Sequence, residues 1–164
     1  MLDQTLYLVS YGSYDQIPYV YGGNPETNYS TYKTDTYTMG NPTTRLGIIT
    51  NVRVSFKGYA RPSFSGAQYG KTAIYSAGRY LIYGSANALG DYPTGGTYYT
   101  DYALNPWTGV AWTWDNIDAL QAGFSLISDS GESYAGSDPD QLKLIVSSIP
   151  LSSGGAQIIG LELL

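Results

Sequence analysis

Asp115 and Asp118 stand three residues apart beside a cluster of tryptophans, and Asp129, Glu132, Asp138 and Asp140 crowd a stretch rich in Ser and Gly. Chemistry in this chain would have to be built from such carboxylates, because its 164 residues include no histidine and no cysteine. Without histidine no side chain titrates near neutrality at its ordinary pKa. Without cysteine there is no thiolate nucleophile, no disulfide and no soft ligand for zinc or iron–sulfur clusters. Two carboxylates flanking a cleft could hydrolyse a glycoside, but Asp115 and Asp118 fall on a short predicted helix whose N-terminal dipole already accounts for the first. Capping and solvation are the better reading of that pair. The four acids between 129 and 140 offer hard oxygen ligands of the kind Ca²⁺ takes, yet their spacing departs from an EF-hand loop. They read first as an ordinary acidic loop, with Asp129, Glu132, Asp138 and Asp140 kept as weak calcium candidates. No catalytic residue and no cofactor is expected, and the chain reads as a non-enzyme that touches other molecules.

The contact chemistry is tyrosine. Eighteen tyrosines supply rigid, amphipathic area at low entropic cost. Eight of them, Tyr7, Tyr11, Tyr14, Tyr19, Tyr21, Tyr29, Tyr32 and Tyr37, fall within residues 1–45, which carry few aliphatics after Val20. Half-burying these rings returns less than ordering the segment costs. Residues 1–45 must therefore pair as strands in their own sheet or form an arm on a neighbouring subunit, and their tyrosines are candidate assembly contacts. A second group, Tyr98, Tyr99 and Tyr102, could stack on sugar rings, which keeps a carbohydrate-binding module as the alternative.

Charged residues make up 13% of the chain against ~25% on average, leaving Gly, Ser, Thr, Asn and Tyr to fill the surface. Such a surface suits packing against neighbours, in a homo-oligomer, better than life as a free monomer. The charges are also segregated. Thr36 to Gly90 holds Arg45, Arg53, Lys57, Arg61, Lys71 and Arg79 and no acid, whereas Asp91 to Leu142 holds eight acids and no base. Either paired strands mix the two blocks on one surface, or the blocks face each other between subunits in a head-to-tail array. Six spread bases make a poor nucleic-acid footprint, so no nucleic acid is expected. No stretch approaches the ~20 apolar residues of a membrane-spanning helix, and the first residues lack the basic and apolar regions of a secretory signal. No membrane role is expected.

The elements that must position these residues are strands. Between Ile48 and Lys57, Ile48, Thr50, Val52, Val54 and Phe56 alternate with Ile49, Asn51, Arg53, Ser55 and Lys57, the period of a half-buried strand. Similar segments run over 5–11, 17–21, 72–83, 97–104, 124–128, 141–147 and 157–163, separated by turn signals at 21–25, 40–42, 92–96, 137–140 and 152–155. About eight strands at this spacing predict an all-β, single-domain β-sandwich, jelly-roll-like, with residues 46–164 as its body. One short connecting helix is predicted near 113–122, capped by Thr113 and closed by Gly123. Trp112, Trp114, Ile117 and Leu120 are expected to plug one end of the core.

The run Asn105-Pro106-Trp107-Thr108-Gly109-Val110-Ala111-Trp112-Thr113-Trp114-Asp115-Asn116-Ile117-Asp118-Ala119-Leu120-Gln121-Ala122-Gly123-Phe124 resembles an NPxTGxAWTWxxIxALxxG segment of β-sandwich structural proteins of tailed phages and uncultivated prokaryotic viruses. The resemblance covers 46–128. It implies a virion structural protein, such as a capsid, decoration, tail or filament subunit, in a virion or similar extracellular assembly, with copies of itself or other virion proteins as partners. The tyrosine-rich residues before 45 depart from that pattern.

Overall fold

The computed structural model describes residues 1–15, 29–60, 68–91, 93–128, 133–135 and 141–151. Among them the fold is all-β, as the periodicity predicts. Ten strands form one curled antiparallel sheet: β1 (Leu2–Asp15), β2 (Tyr29–Met39), β3 (Ile48–Ala60), β4 (Gln68–Ser76), β5 (Ile82–Tyr83), β6 (Asn87–Ala88), β7 (Gly96–Tyr102), β8 (Leu120–Ser128), β9 (Ser133–Ala135) and β10 (Leu142–Ile149). The order across the sheet is β5-β4-β8-β2-β1-β10-β3-β7, with β6 on β4 and β9 on β3. The expected strands at 17–21 and 157–163 lie outside the described residues.

β1 makes the curl possible. Its first half, Leu2 to Tyr7, pairs with β10, and from Leu8 onward it pairs with β2 instead, with a register shift between Leu8 and Ser10. One half of the sheet (β1-β10-β3-β7) thereby faces the other (β1-β2-β8-β4-β5). Between them lie Val52, Val54 and Phe56, Leu142, Leu144 and Val146, Leu6, Tyr37, Ile74, Phe124 and Leu126, all buried. Phe56 meets Phe124 at 5.6 Å between ring centroids, and Phe124 meets Tyr37 at 6.0 Å, so aromatic contacts join the two halves through the core. The far edges approach each other through side chains, where Thr72 Oγ1 of β4 donates to Thr100 Oγ1 of β7 at 2.6 Å.

The described parts of residues 1–45 pair as strands in the chain's own sheet. β1 and β2 occupy the middle of the strand order, and Leu6, Tyr37 and Met39 supply the apolar burial that the tyrosine surface alone could not. Two further expectations change. The strand expected over 72–83 stops at Ser76, turns with the Arg79 amide donating to the Ser76 carbonyl (2.9 Å), and resumes as β5. The helix α1 spans only Trp114–Asp118, Ala119 ends it and Leu120 already opens β8. Gly123 therefore does not close the helix. It sits inside β8, where a Cβ would come within 1.9 Å of the Asp35 carbonyl oxygen, so only glycine lets β2 and β8 approach.

The alternation in β3 also breaks once. Ser147 pairs with Asn51, but Ser148 pairs with Ile49, so Thr50 is an extra residue on the β3 side. A bulge of this kind reverses the phase of the strand before it. Ile49 turns into the core and Ile48, expected inside with Val52, turns out to 58% exposure.

Candidate functional site

The NPxTGxAWTW stretch builds a closed end. Asn105 is buried; its Oδ1 accepts from the Trp107 amide (3.1 Å), its carbonyl accepts from the Gly109 amide (2.8 Å), and Gly109 sits at φ +72, which favours glycine. Thr113 then caps α1 reciprocally with Asn116 in a capping box. Trp112 is buried, its Nε1–H donating to the Tyr102 carbonyl at 2.9 Å, and Trp107 packs edge-on against it at 6.3 Å. Ile117 and Leu120 are buried, while Trp114 is half-buried and reaches the Gly47 carbonyl at 3.3 Å.

The acids of this end do not converge on a cleft. Asp115 is exposed in the first turn of α1, and Asp118 binds Arg45 at 2.6 Å. Asp129, Glu132, Asp138 and Asp140 lie outside the described residues, and among the described residues no group of three or more metal-ligating side chains occurs. Sequence reasoning passed over one string, Ser30-x-x-Lys33, with the spacing of a serine–lysine nucleophile pair. That spacing unites two side chains on a helix, and here it falls in strand β2.

The opposed charge blocks meet within one chain. On the outer face of β3 and β7, Arg53 Nε and Nη2 donate to the two oxygens of Asp101 at 2.8 and 2.7 Å, Asn51 Nδ2 donates to the same carboxylate at 2.6 Å, and the guanidinium lies 4.1 Å from the Tyr99 ring centroid. The bond from Arg53 holds the Asp101 carboxyl below its ordinary pKa, and the same bond raises Arg53. Arg45 with Asp118 is a second pair across the two blocks.

Tyr98, Tyr99 and Tyr102 do not form a platform. Successive strand residues point to opposite faces. Tyr98 turns inward onto Phe56 at 5.5 Å and its hydroxyl accepts from the Gly90 amide at 2.7 Å, whereas Tyr102 is buried and only Tyr99 faces out. Of the residue 1–45 tyrosines, Tyr37 is core, Tyr7 is exposed and Tyr32 is half-buried. Tyr11 and Tyr14 lie on β1 and Tyr29 on β2, while Tyr19 and Tyr21 lie outside the described residues.

What remains open is an apolar rim beside the tryptophan end. Ile48 and Ile149 are register partners on the outer face, Leu46 and Leu151 lie two residues beyond each, and Met1 immediately precedes the Leu2 that pairs with Ser148. Their exposures are 58% for Leu46 and Ile48, 52% for Ile149, 71% for Leu151 and 81% for Met1, so these side chains stand in solvent and not in the core. Ile48 and Ile149 adjoin by register, Leu46, Leu151 and Met1 lie at the neighbouring strand ends, and large aliphatics exposed in this way mark a contact surface. Nothing in the composition announced it, because its members come from three stretches far apart in the chain and one was turned outward by the bulge.

Among the described residues no helix is long and apolar enough to cross a membrane. The sequence matches no protein-family model and no curated protein.

Proposed function

We propose that this chain is a non-enzymatic structural subunit of a virion or similar extracellular assembly, and that it associates with copies of itself or with other virion proteins through the apolar rim. The observation that carries the reading is the exposed cluster Met1, Leu46, Ile48, Ile149 and Leu151 on a chain whose surface is otherwise poor in charge. The rim is continuous with the end built by the segment that resembles phage structural proteins, since Trp114 bonds to the carbonyl of Gly47, between Leu46 and Ile48. The two facing halves of the sheet support the finer reading of a sandwich body. Because the two chief charge contacts close within the chain, association rests on apolar burial and is expected to survive high salt, at which exposed charges are screened within ~3 Å.

Sedimentation velocity over a concentration series tests this. The full chain should grow in mass with concentration, and the double variant Ile48→Asp/Ile149→Asp should remain monomeric while keeping its β-sheet circular dichroism. A wild-type chain that stays monomeric throughout, or a double variant that assembles equally well, rejects the reading.

A further inference from the structure

The opposite outer face, on β2, β8, β4 and β5, carries a different constellation. Lys71 Nζ lies 3.6 Å from the ring centroid of Tyr32 and 4.4 Å from that of Tyr83. Thr34 Oγ1 is in hydrogen-bond contact with Ser125 Oγ (2.9 Å) and with the Tyr83 hydroxyl (3.2 Å), and Thr34 and Ser125 are fully buried polar groups. Tyr69, two residues before Lys71 and so on the same face of β4, is 38% exposed, and Tyr83 is 40% exposed. The cluster therefore has a fixed hydroxyl floor and two aromatic side chains still open to solvent.

Among the described residues no carboxylate compensates its charge. Lys71 forms no ion pair with a described residue, and partial burial pushes its pKa below the ordinary value with no carboxylate contributing an opposite effect. Tyrosine rings attract an ammonium through their quadrupole but do not neutralise it. An incoming anion would find a preplaced, partly desolvated cation. The cation is a single ammonium without an arginine fork, which suits one carboxylate better than the bidentate recognition of a phosphate. The half-exposed tyrosine rings and hydroxyls around it suit the apolar face and hydroxyl groups of a sugar.

We propose that Tyr32, Tyr69, Lys71 and Tyr83 form a binding site for an acidic saccharide, in which a sugar carboxylate meets Lys71 Nζ and the sugar ring lies against the tyrosines. This goes beyond assembly, since the site sits on the outer face of the half-sheet β2-β8-β4-β5 and uses none of the rim residues.

Titration of the full chain with a galacturonate tetramer, a neutral galactose tetramer and inorganic phosphate, followed by chemical shifts and calorimetry, provides the test. The acidic tetramer should bind at least about tenfold more tightly than the neutral one, a difference of ~1.4 kcal/mol. Lys71→Met should erase that preference without lowering the melting temperature, and Lys71→Arg should retain most of it. Equal affinity for the two tetramers, no binding of either at millimolar concentration, or an unchanged preference in Lys71→Met overturns the proposal. Phosphate competing as effectively as the acidic tetramer overturns the saccharide assignment, leaving a bare cation site.

Discussion

Arg53 and Lys71 occupy comparable positions on opposite outer faces, each a cation on a strand with a tyrosine ring against it. Arg53 has Asp101 in register on the neighbouring strand, so its charge is satisfied by the fold. Lys71 has Ser125 in register, and no described carboxylate reaches it. The difference teaches that a cation on tyrosine is structural or available according to what the next strand supplies at the same register position. One face therefore closes on itself until it runs out into the apolar rim, and the other holds a cation that no described carboxylate neutralises.

Removing the strands and core that both faces share should have the largest effect. Deleting residues 1–40 takes away both β1 and β2 from the middle of the sheet, and the truncated chain should show no cooperative unfolding by circular dichroism. Phe124→Ala, which empties the contact with Phe56 and Tyr37 beneath both faces, should cost about 3–5 kcal/mol in denaturant melts. Trp112→Ala should fall in the same range, and the half-buried Trp114→Ala should cost less.

Smaller changes sharpen the contrast. Asp101→Asn should cost less than ~1 kcal/mol, because the pair is exposed enough for water and salt to screen it. The sign in pH follows from the lowered carboxyl: the folded form holds its proton less tightly than the unfolded chain, so the contribution is complete above ~4 and fades as pH falls through the folded pKa. Melting curves of wild type and Asp101→Asn should converge in acid and separate at neutrality. Lys71→Met should go the other way by a still smaller amount. Its lowered pKa means that the charged form is disfavoured by folding, a cost present at neutral pH and relieved as pH rises toward the unfolded value. The variant should melt at or slightly above wild type at pH 7.

How far the sequence led depends on whether each strand is buried on one face or two. β3 was legible from Val52 to Lys57 because apolar and polar residues alternate there, and β10 from its short run of aliphatic and β-branched residues. β2 was not drawn as a strand, since Thr34 and Thr36 are buried on one face and Asp35 and Tyr37 on the other, which leaves no hydropathic alternation to read. Its signal was the density of Thr and Tyr, residues that favour strands. The end segment could be read locally, because the Thr113 cap and the Asn105 turn depend on neighbours in sequence. The rim and the Lys71 cluster could not, as both are made by register between distant strands, and the rim also by a one-residue bulge that no periodicity reveals.

The chain's lack of cysteine allows the central claim to be tested site by site. Single cysteines placed at Ile48, in the rim, and at Thr97, exposed on the edge strand β7 near the other end of the same face, can be oxidised at concentrations where the wild-type chain associates. Rim-mediated association predicts disulfide-linked dimers from Ile48→Cys and almost none from Thr97→Cys. Equal cross-linking at both positions, or cross-linking at Thr97 alone, would contradict it.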